Sequence, residues 1–158
     1  LTSKLEEMGV KMEIGIDTIT VEHNDNLLPV DITTKPYPGF ATDLQQPLTA
    51  LLTQIKGESR VVDTIYTERF KHCLELQRMG ADIDIDKGSS IIKGPSKLYG
   101  DKVYATDLRC GACLVIAGLL AEGETEIHDI YHIDRGYYDI DEKIKKLGGD
   151  ICREVVEK

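Results

Sequence analysis

The chain repeats itself. Gly57 to Arg69 (GESRVVDTIYTER) aligns without a gap on Gly123 to Arg135 (GETEIHDIYHIDR), an offset of 123 − 57 = 66 that still holds at the acid-arginine pair, 134 − 68 = 66. In both copies a glycine ends one segment, an alternating apolar run follows, and Glu68-Arg69 or Asp134-Arg135 closes it. A shorter echo marks helix ends at Met8-Gly9, Met79-Gly80 and Leu147-Gly148, spaced by 80 − 9 = 71 and 148 − 80 = 68. Recurring units each have to bury an apolar face against a neighbour, so the fold is expected to be an assembly of such units. The chain opens on Leu1 inside one of these helix tails, with no initiator Met. It therefore reads as the later part of a longer protein, one truncated domain over 1–158 holding the end of one repeat and two following units.

Size and charge narrow the function. With 158 residues, 41% of them hydrophobic and 30% charged, one domain with a true core is expected. A net charge of −9 argues against a nucleic-acid surface, which needs a basic stripe. An anionic ligand would have to be met by local arginines set against that field. No signal peptide and no membrane-spanning run is read, and four cysteines without framework spacing suit a reducing compartment, so the expected location is cytoplasmic.

The periodicities assign the elements. Val10–Ile14 and Thr18–Val21 read as a strand pair around Gly15, and Val30–Thr33 as a third strand. Pro36-Tyr37-Pro38-Gly39 breaks regularity, and a helix with Pro47 in its first turn is expected to run to Gly57. Then come a strand at Arg60–Tyr66, a helix at Phe70–Met79, and strands at Asp82–Ile85 and Ser90–Lys93. The second unit repeats the order, with strands at Val103–Ala105 and Glu126–Tyr131 and helices at Asp107–Glu122 and up to Leu147; Ile151–Val156 reads as a last strand. The segment Cys113–Ala121 is apolar all round and needs burial on every side, whereas the strands alternate and keep one wet face. The expectation is an α/β fold, an inside-out barrel of β-α-β-α-β-β units with helices inside and sheets outside.

Two loops begin alike, Thr42-Asp43-Leu44-Gln45 and Thr106-Asp107-Leu108-Arg109. Each places Thr to cap a helix and Asp where the helix dipole favours an anion. Arg109 stands in a first turn where the dipole opposes a cation, so it requires an anion, and free backbone N–H groups beside a guanidinium make a phosphate or carboxylate site. Arg69 and Arg135 hold equivalent places after a strand. Read singly, each is a surface ion pair with its preceding acid. Read as repeats, Arg69, Arg109 and Arg135 fall on loops at one end of the units, where a multiply charged ligand could meet them.

Cys110-Gly111-Ala112-Cys113 has C-x-x-C spacing, but Cys73 and Cys152 are lone residues far off, and the run opens a buried helix. Small core residues are therefore preferred to a zinc or thiol-redox site. The four histidines show no metal-binding pattern, and only His132, beside the acid-arginine pair, is noted. No glycine-rich phosphate loop is present. Neither a metal nor a cofactor is expected.

Taken together, Thr42-Asp43-Leu44-Gln45, Thr64-Ile65-Tyr66-Thr67-Glu68-Arg69-Phe70, Met79-Gly80-Ala81, Thr106-Asp107-Leu108-Arg109 and His132-Ile133-Asp134-Arg135-Gly136-Tyr137 closely resemble the UDP-N-acetylglucosamine 1-carboxyvinyltransferases. The resemblance spans almost the whole chain but only the end of the C-terminal lobe of those enzymes. The sister enzyme of the shikimate pathway shares the fold without the Ile-Asp-Arg-Gly-Tyr run. The resemblance implies transfer of the enolpyruvyl group from phosphoenolpyruvate to the 3′-hydroxyl of UDP-N-acetylglucosamine, releasing phosphate and opening peptidoglycan synthesis. It implies that Asp43 contacts that hydroxyl as a candidate base and that Ile65 meets the nucleotide sugar through its backbone. It also implies that Arg69, Arg109 and Arg135 hold phosphoenolpyruvate and the tetrahedral intermediate, with Asp107 beside the reacting carbon. The family's other lobe supplies a mobile loop with a reactive Cys, a Lys and further arginines, so this chain alone is expected to be inactive without that missing lobe. Two other classes stay open: a non-catalytic module that binds a nucleotide sugar, and a metal or redox module at Cys110 and Cys113.

Overall fold

The computed structural model describes residues 1–155. The chain begins with α1 (Thr2–Glu7), a hairpin of β1 (Lys11–Ile14) and β2 (Ile19–Glu22), and a short β3 (Ile32–Thr33). A 3-10 turn at Thr42–Leu44 leads into α2 (Gln45–Leu52), which is followed by β4 (Gly57–Val62), α3 (Lys71–Arg78), β5 (Asp82–Asp86) and β6 (Ser89–Gly94). The last part contains β7 (Lys102–Tyr104), α4 (Leu108–Leu120), β8 (Glu126–His128), α5 (Tyr131–Asp134) and α6 (Ile140–Lys146). The glycines at the three related helix ends, Gly9, Gly80 and Gly148, all lie in the left-handed region at φ 86°, 105° and 91°, where a side chain would be strained.

The repeat is visible as two parallel strand-helix-strand units. β3 pairs in parallel with β4 across α2, with Ile32 opposite Val61, and β7 pairs in parallel with β8 across α4, with Val103 opposite Ile127. β4 continues antiparallel to β6, which pairs antiparallel with β5, giving a four-stranded sheet in the order β3-β4-β6-β5.

The helices lie inside and the sheets outside. α4 buries Cys110, Gly111, Ala112, Cys113, Leu114, Val115 and Ala117, and α2 buries Leu48, Ala50 and Leu52 against it in the same core as Leu76 of α3. The sheet turns Ser59, Val61, Ile83 and Ile92 inward and Glu58, Arg60, Asp82 and Lys93 outward. Among the described residues the strands form three separate sheets and no closed circuit.

Local hydrogen bonding moves several expected boundaries. The helix expected to reach Gly57 stops at Leu52, because the Thr53 carbonyl accepts from the Ser96 N–H (2.7 Å) and the Thr53 hydroxyl turns back to the Ala50 carbonyl (2.7 Å). The strand expected at Arg60–Tyr66 begins at Gly57 and ends at Val62, and the one expected at Glu126–Tyr131 ends at His128. The repeat-equivalent aspartates Asp63 and Asp129 (129 − 63 = 66) stop both. Asp63 takes N–H groups onto its carboxylate, and Asp129 adopts φ 58°, a left-handed state that short polar residues tolerate. Residues 151–155 form no strand, and Val156 of the expected final strand lies outside the described residues.

Candidate active site

Every candidate residue follows a parallel strand in the chain, the side on which α/β folds gather their ligand groups. Asp43 follows β3, Ile65 and Arg69 follow β4, Asp107 and Arg109 follow β7, and Arg135 follows β8.

Asp63 organises the first half. It is 1% exposed, and its Oδ1 accepts from the Thr34 hydroxyl (2.8 Å) and the Ile65 and Tyr66 N–H groups (2.9 and 2.8 Å). Its Oδ2 accepts from the Thr42 hydroxyl at 2.6 Å. One carboxylate thus fixes the turn that carries Ile65 and Arg69 and the loop that carries Asp43. Burial opposes its ionisation, but the bonds from Thr42, Tyr66, Thr34 and Ile65 prevail and hold it below the usual carboxylate range.

Asp43 is the meeting point. Arg69 Nη1 donates to its Oδ1 at 3.1 Å and Arg109 Nη2 to its Oδ2 at 3.0 Å. Desolvation pushes the Asp43 carboxyl up, yet the Arg109 and Arg69 guanidiniums outweigh it and lower its pKa. Arg69 lies over the Tyr66 ring with its guanidinium carbon 4.2 Å from the centroid. Arg109 Nη1 donates to the Tyr137 hydroxyl at 2.9 Å. Side-chain exposures of 28% for Arg69, 29% for Arg109 and 51% for Asp43 leave the cluster open to a ligand.

Two expected capping roles are corrected. Asp107 itself caps α4, its Oδ1 accepting from the N–H groups of Arg109 (2.8 Å) and Cys110 (2.9 Å). Thr106 is therefore not the cap. Thr42 does not cap either, because its hydroxyl is committed to Asp63. The Asp107 cap supplies the anion that a first-turn cation needs and helps explain why Arg109 is tolerated there.

The adjacent acid-arginine pairs are not ion pairs. Arg69 reaches Asp43 rather than Glu68, and Asp134 receives both Nη groups of Arg153 (3.1 and 2.7 Å) rather than Arg135. Arg153 Nε also binds Asp141 at 2.8 Å. Arg135 is exposed and has no ion-pair partner among the described residues; no polar contact ties it to the other three. Its loop nevertheless sits on the start of α4. A Cβ on Gly111 would collide with Ile133, and one on Gly136 would approach Leu108 Cδ2 to 2.7 Å. The Ile65 N–H is committed to Asp63, while its side chain is 39% exposed.

The cysteine cluster is apart from this surface. Cys73, Cys110 and Cys113 are buried free thiols and Cys152 is exposed; burial pushes Cys73 up to about 12 and Cys113 well above its ordinary value. Among the described residues no group of three His, Cys, Asp or Glu side chains is arranged to hold a metal. His132 lies with its ring 4.2 Å from that of Tyr131, and among the described residues it makes no hydrogen bond or ion pair with Asp43, Arg69 or Arg109. No helix of the described residues is long and apolar enough to cross a membrane.

Asp63 and Tyr137 are the site-building residues that pattern reading passed over. Asp63 lies inside the repeat, where Asp129 is its equivalent, and Tyr137 stands two residues after the repeat's closing Arg135; that equivalence and that adjacency are the signals that could have flagged them.

A family model described as EPSP synthase (3-phosphoshikimate 1-carboxyvinyltransferase) matches residues 1–144. The chain belongs to this family. Within it, the chain is 58% identical over 153 residues to UDP-N-acetylglucosamine 1-carboxyvinyltransferase 2 of Listeria monocytogenes, covering 97% of this chain and 36% of that protein. It is 56% identical over 156 residues to the protein of the same name in Staphylococcus aureus, covering 99% of this chain and 37% of that one. The chain thus spans little more than a third of the length of these curated relatives. The structure superimposes on the enolpyruvyl transferase NikO from Streptomyces tendae with TM-score 0.87 at 31% identity, over 94% of this chain and 35% of that one. The EPSP synthase from Acinetobacter baumannii, at TM-score 0.61 and 20% identity, shares the fold over 80% of this chain and 31% of its own. These neighbours establish the enolpyruvyl transferase lobe architecture for this member of the family.

Proposed function

We propose that this chain forms one wall of an enolpyruvyl transferase site that moves the enolpyruvyl group of phosphoenolpyruvate onto the 3′-hydroxyl of UDP-N-acetylglucosamine, releasing phosphate. The observation that carries this reading is Asp43 held between the guanidiniums of Arg69 and Arg109. Two converging guanidiniums match a small ligand bearing both phosphate and carboxylate, and a carboxylate in their midst is an acceptor for an alcohol proton.

In this reading Asp43 takes the proton of the attacking hydroxyl while the hydroxyl oxygen adds to the substituted carbon of phosphoenolpyruvate. As the double bond breaks, the methylene carbon takes up a proton from an acid of the portion that this chain does not match, giving the tetrahedral intermediate. Arg69, Arg109 and Arg135 hold the phosphate and carboxylate of the substrate and of the tetrahedral intermediate. Breaking the carbon–oxygen bond to phosphate, with loss of a proton from the adjacent carbon, leaves the enolpyruvyl ether and free phosphate. Asp107 lies beside the reacting carbon from its capping position, and the Ile65 backbone contacts the nucleotide sugar through its carbonyl, its N–H being engaged by Asp63. Free, unpaired thiols agree with work in the cytoplasm, at the entry to peptidoglycan synthesis.

The cluster is open to solvent, and catalysis of this kind requires a closed, water-poor site. The 158-residue chain assayed alone is therefore expected to release no phosphate from the two substrates. Adding, as a second polypeptide, the portion of a relative that this chain does not match should restore turnover. The Asp43→Ala chain should abolish it again. Turnover by the chain alone at the rate of a full-length transferase, or restored turnover that survives Asp43→Ala, would refute the assignment, and a non-catalytic sugar-nucleotide binder would show no turnover to lose.

A further inference from the structure

The geometry points to Tyr137 as a positioning residue that fixes the plane of the Arg109 guanidinium in the ligand site. This rests on the reading of Arg109 as an anion-holding group given above.

Arg109 stands in the first turn of α4, where the helix dipole repels it, on a long side chain with several rotatable bonds. Left alone, such a side chain would sample many directions, and holding it costs entropy. The structure holds it by two hydrogen bonds, Nη2 to Asp43 at 3.0 Å and Nη1 to the Tyr137 hydroxyl at 2.9 Å, with its guanidinium carbon 5.7 Å from the Tyr137 ring centroid. The two acceptors differ in kind. Asp43 carries a negative charge and competes with any incoming anion for the guanidinium, whereas the tyrosine oxygen is neutral and orients the group without cancelling its charge. When an anion displaces Asp43, the tyrosine contact is the one that remains.

Tyr137 is itself carried on a rigid frame. Its N–H donates to the Ile133 carbonyl at 3.0 Å. Ile133 lies directly over Gly111 of α4, and Gly136 leaves room for Leu108 only because it has no side chain. The hydroxyl is therefore fixed relative to the same helix turn that bears Arg109. Arg69 makes no bond to the Tyr137 hydroxyl and lies over the face of a different ring, Tyr66, at 4.2 Å, so loss of the Tyr137 hydroxyl should loosen one arginine and spare the other.

The test follows the guanidinium nitrogen and proton signals by nuclear magnetic resonance in the 158-residue chain, with Arg109 assigned by its disappearance in Arg109→Ala. The wild type should give separate, slowly rotating Nη1 and Nη2 signals for Arg109. In Tyr137→Phe, which keeps the ring and removes only the oxygen, these should merge while those of Arg69 stay as they are. Titration with inorganic phosphate should show binding weakened about three- to tenfold by Tyr137→Phe, and little further loss when the same change is made in Arg109→Ala. Unchanged Arg109 signals in Tyr137→Phe, or an equal loss of phosphate affinity with and without Arg109, would overturn the proposal. Absence of phosphate binding by the wild type would instead count against the anion-site reading, and the Arg109 signals would still decide the role of Tyr137.

Discussion

Asp43 and Arg109 are 66 residues apart in the chain and meet at 3.0 Å. The contact joins the two repeated units through the 3-10 turn at Thr42–Leu44 and the first turn of α4, and Arg69 completes it from the loop after β4. An anion entering here meets arginines already neutralised in part by Asp43. It must take them from that carboxylate, and in doing so it relieves the charge that keeps Asp43 a weak base.

Arg69→Ala and Arg109→Ala should each weaken phosphoenolpyruvate binding by roughly 10- to 100-fold, the loss of a charge-assisted hydrogen bond of about 1.5–3 kcal/mol. Arg69→Lys and Arg109→Lys should recover only part of this, since an ammonium cannot present the planar fork. Isothermal titration of each variant checks both statements.

Asp63→Ala should destabilise the chain by about 3 kcal/mol, because it orphans two hydroxyls and two backbone N–H groups at a buried position. Its folded pKa is depressed, so its ionic contribution is present above the unfolded value of about 3.9 and disappears as pH falls through the folded one. Urea midpoints measured below about pH 4 should fall steeply in the wild type and less steeply in Asp63→Asn.

His72 is fully buried and held neutral, its pKa lowered to about 3 by burial, against the pull of Asp107 and Asp63. The unfolded chain binds this proton near pH 6.5 and the folded chain only near 3, so stability is complete above about 6.5 and declines as pH falls between the two. Replacing His72 with Leu should flatten the dependence of the unfolding midpoint on pH between about 4.5 and 6.5. A slope equal to that of the wild type would assign it to other groups.

Gly111→Ala should force Ile133 off α4, at a cost of about 1–3 kcal/mol. Ile133→Ala, which removes both atoms that such a Cβ would meet, should cost less in that background than in the wild type, and thermal unfolding of the single and double variants measures the coupling.

Of the expected meeting of Arg69, Arg109 and Arg135, the structure brings Arg69 and Arg109 together on Asp43, whose loop the repeat pairs with that of Arg109, while Arg135 has no polar contact with them. The all-round apolar run of α4 announced its burial only in part: Cys113, Leu114, Val115 and Ala117 are buried, but Leu119 and Leu120 at its end are exposed. Strand ends were not legible: Thr64-Ile65-Tyr66 alternates like a strand, but Asp63 captures the backbone N–H groups the ladder would use. The partner of Asp134 was hidden for a similar reason, since Arg153 reaches it across 19 residues while Arg135 is adjacent. Tyr137 finds Arg109 only because Gly111 and Gly136 admit its loop to α4, a fact of packing with no periodic signature.

The most direct measurement compares phosphoenolpyruvate affinity in the wild type and in Asp43→Asn by calorimetric titration of the 158-residue chain. With the competing charge removed and the amide occupying the same space, the affinity should rise about three- to tenfold even as Asp43→Asn eliminates turnover in the complemented enzyme. Unchanged or weaker binding in Asp43→Asn, or no binding by either protein, would contradict a site in which Arg69 and Arg109 hold the anion and Asp43 yields to it.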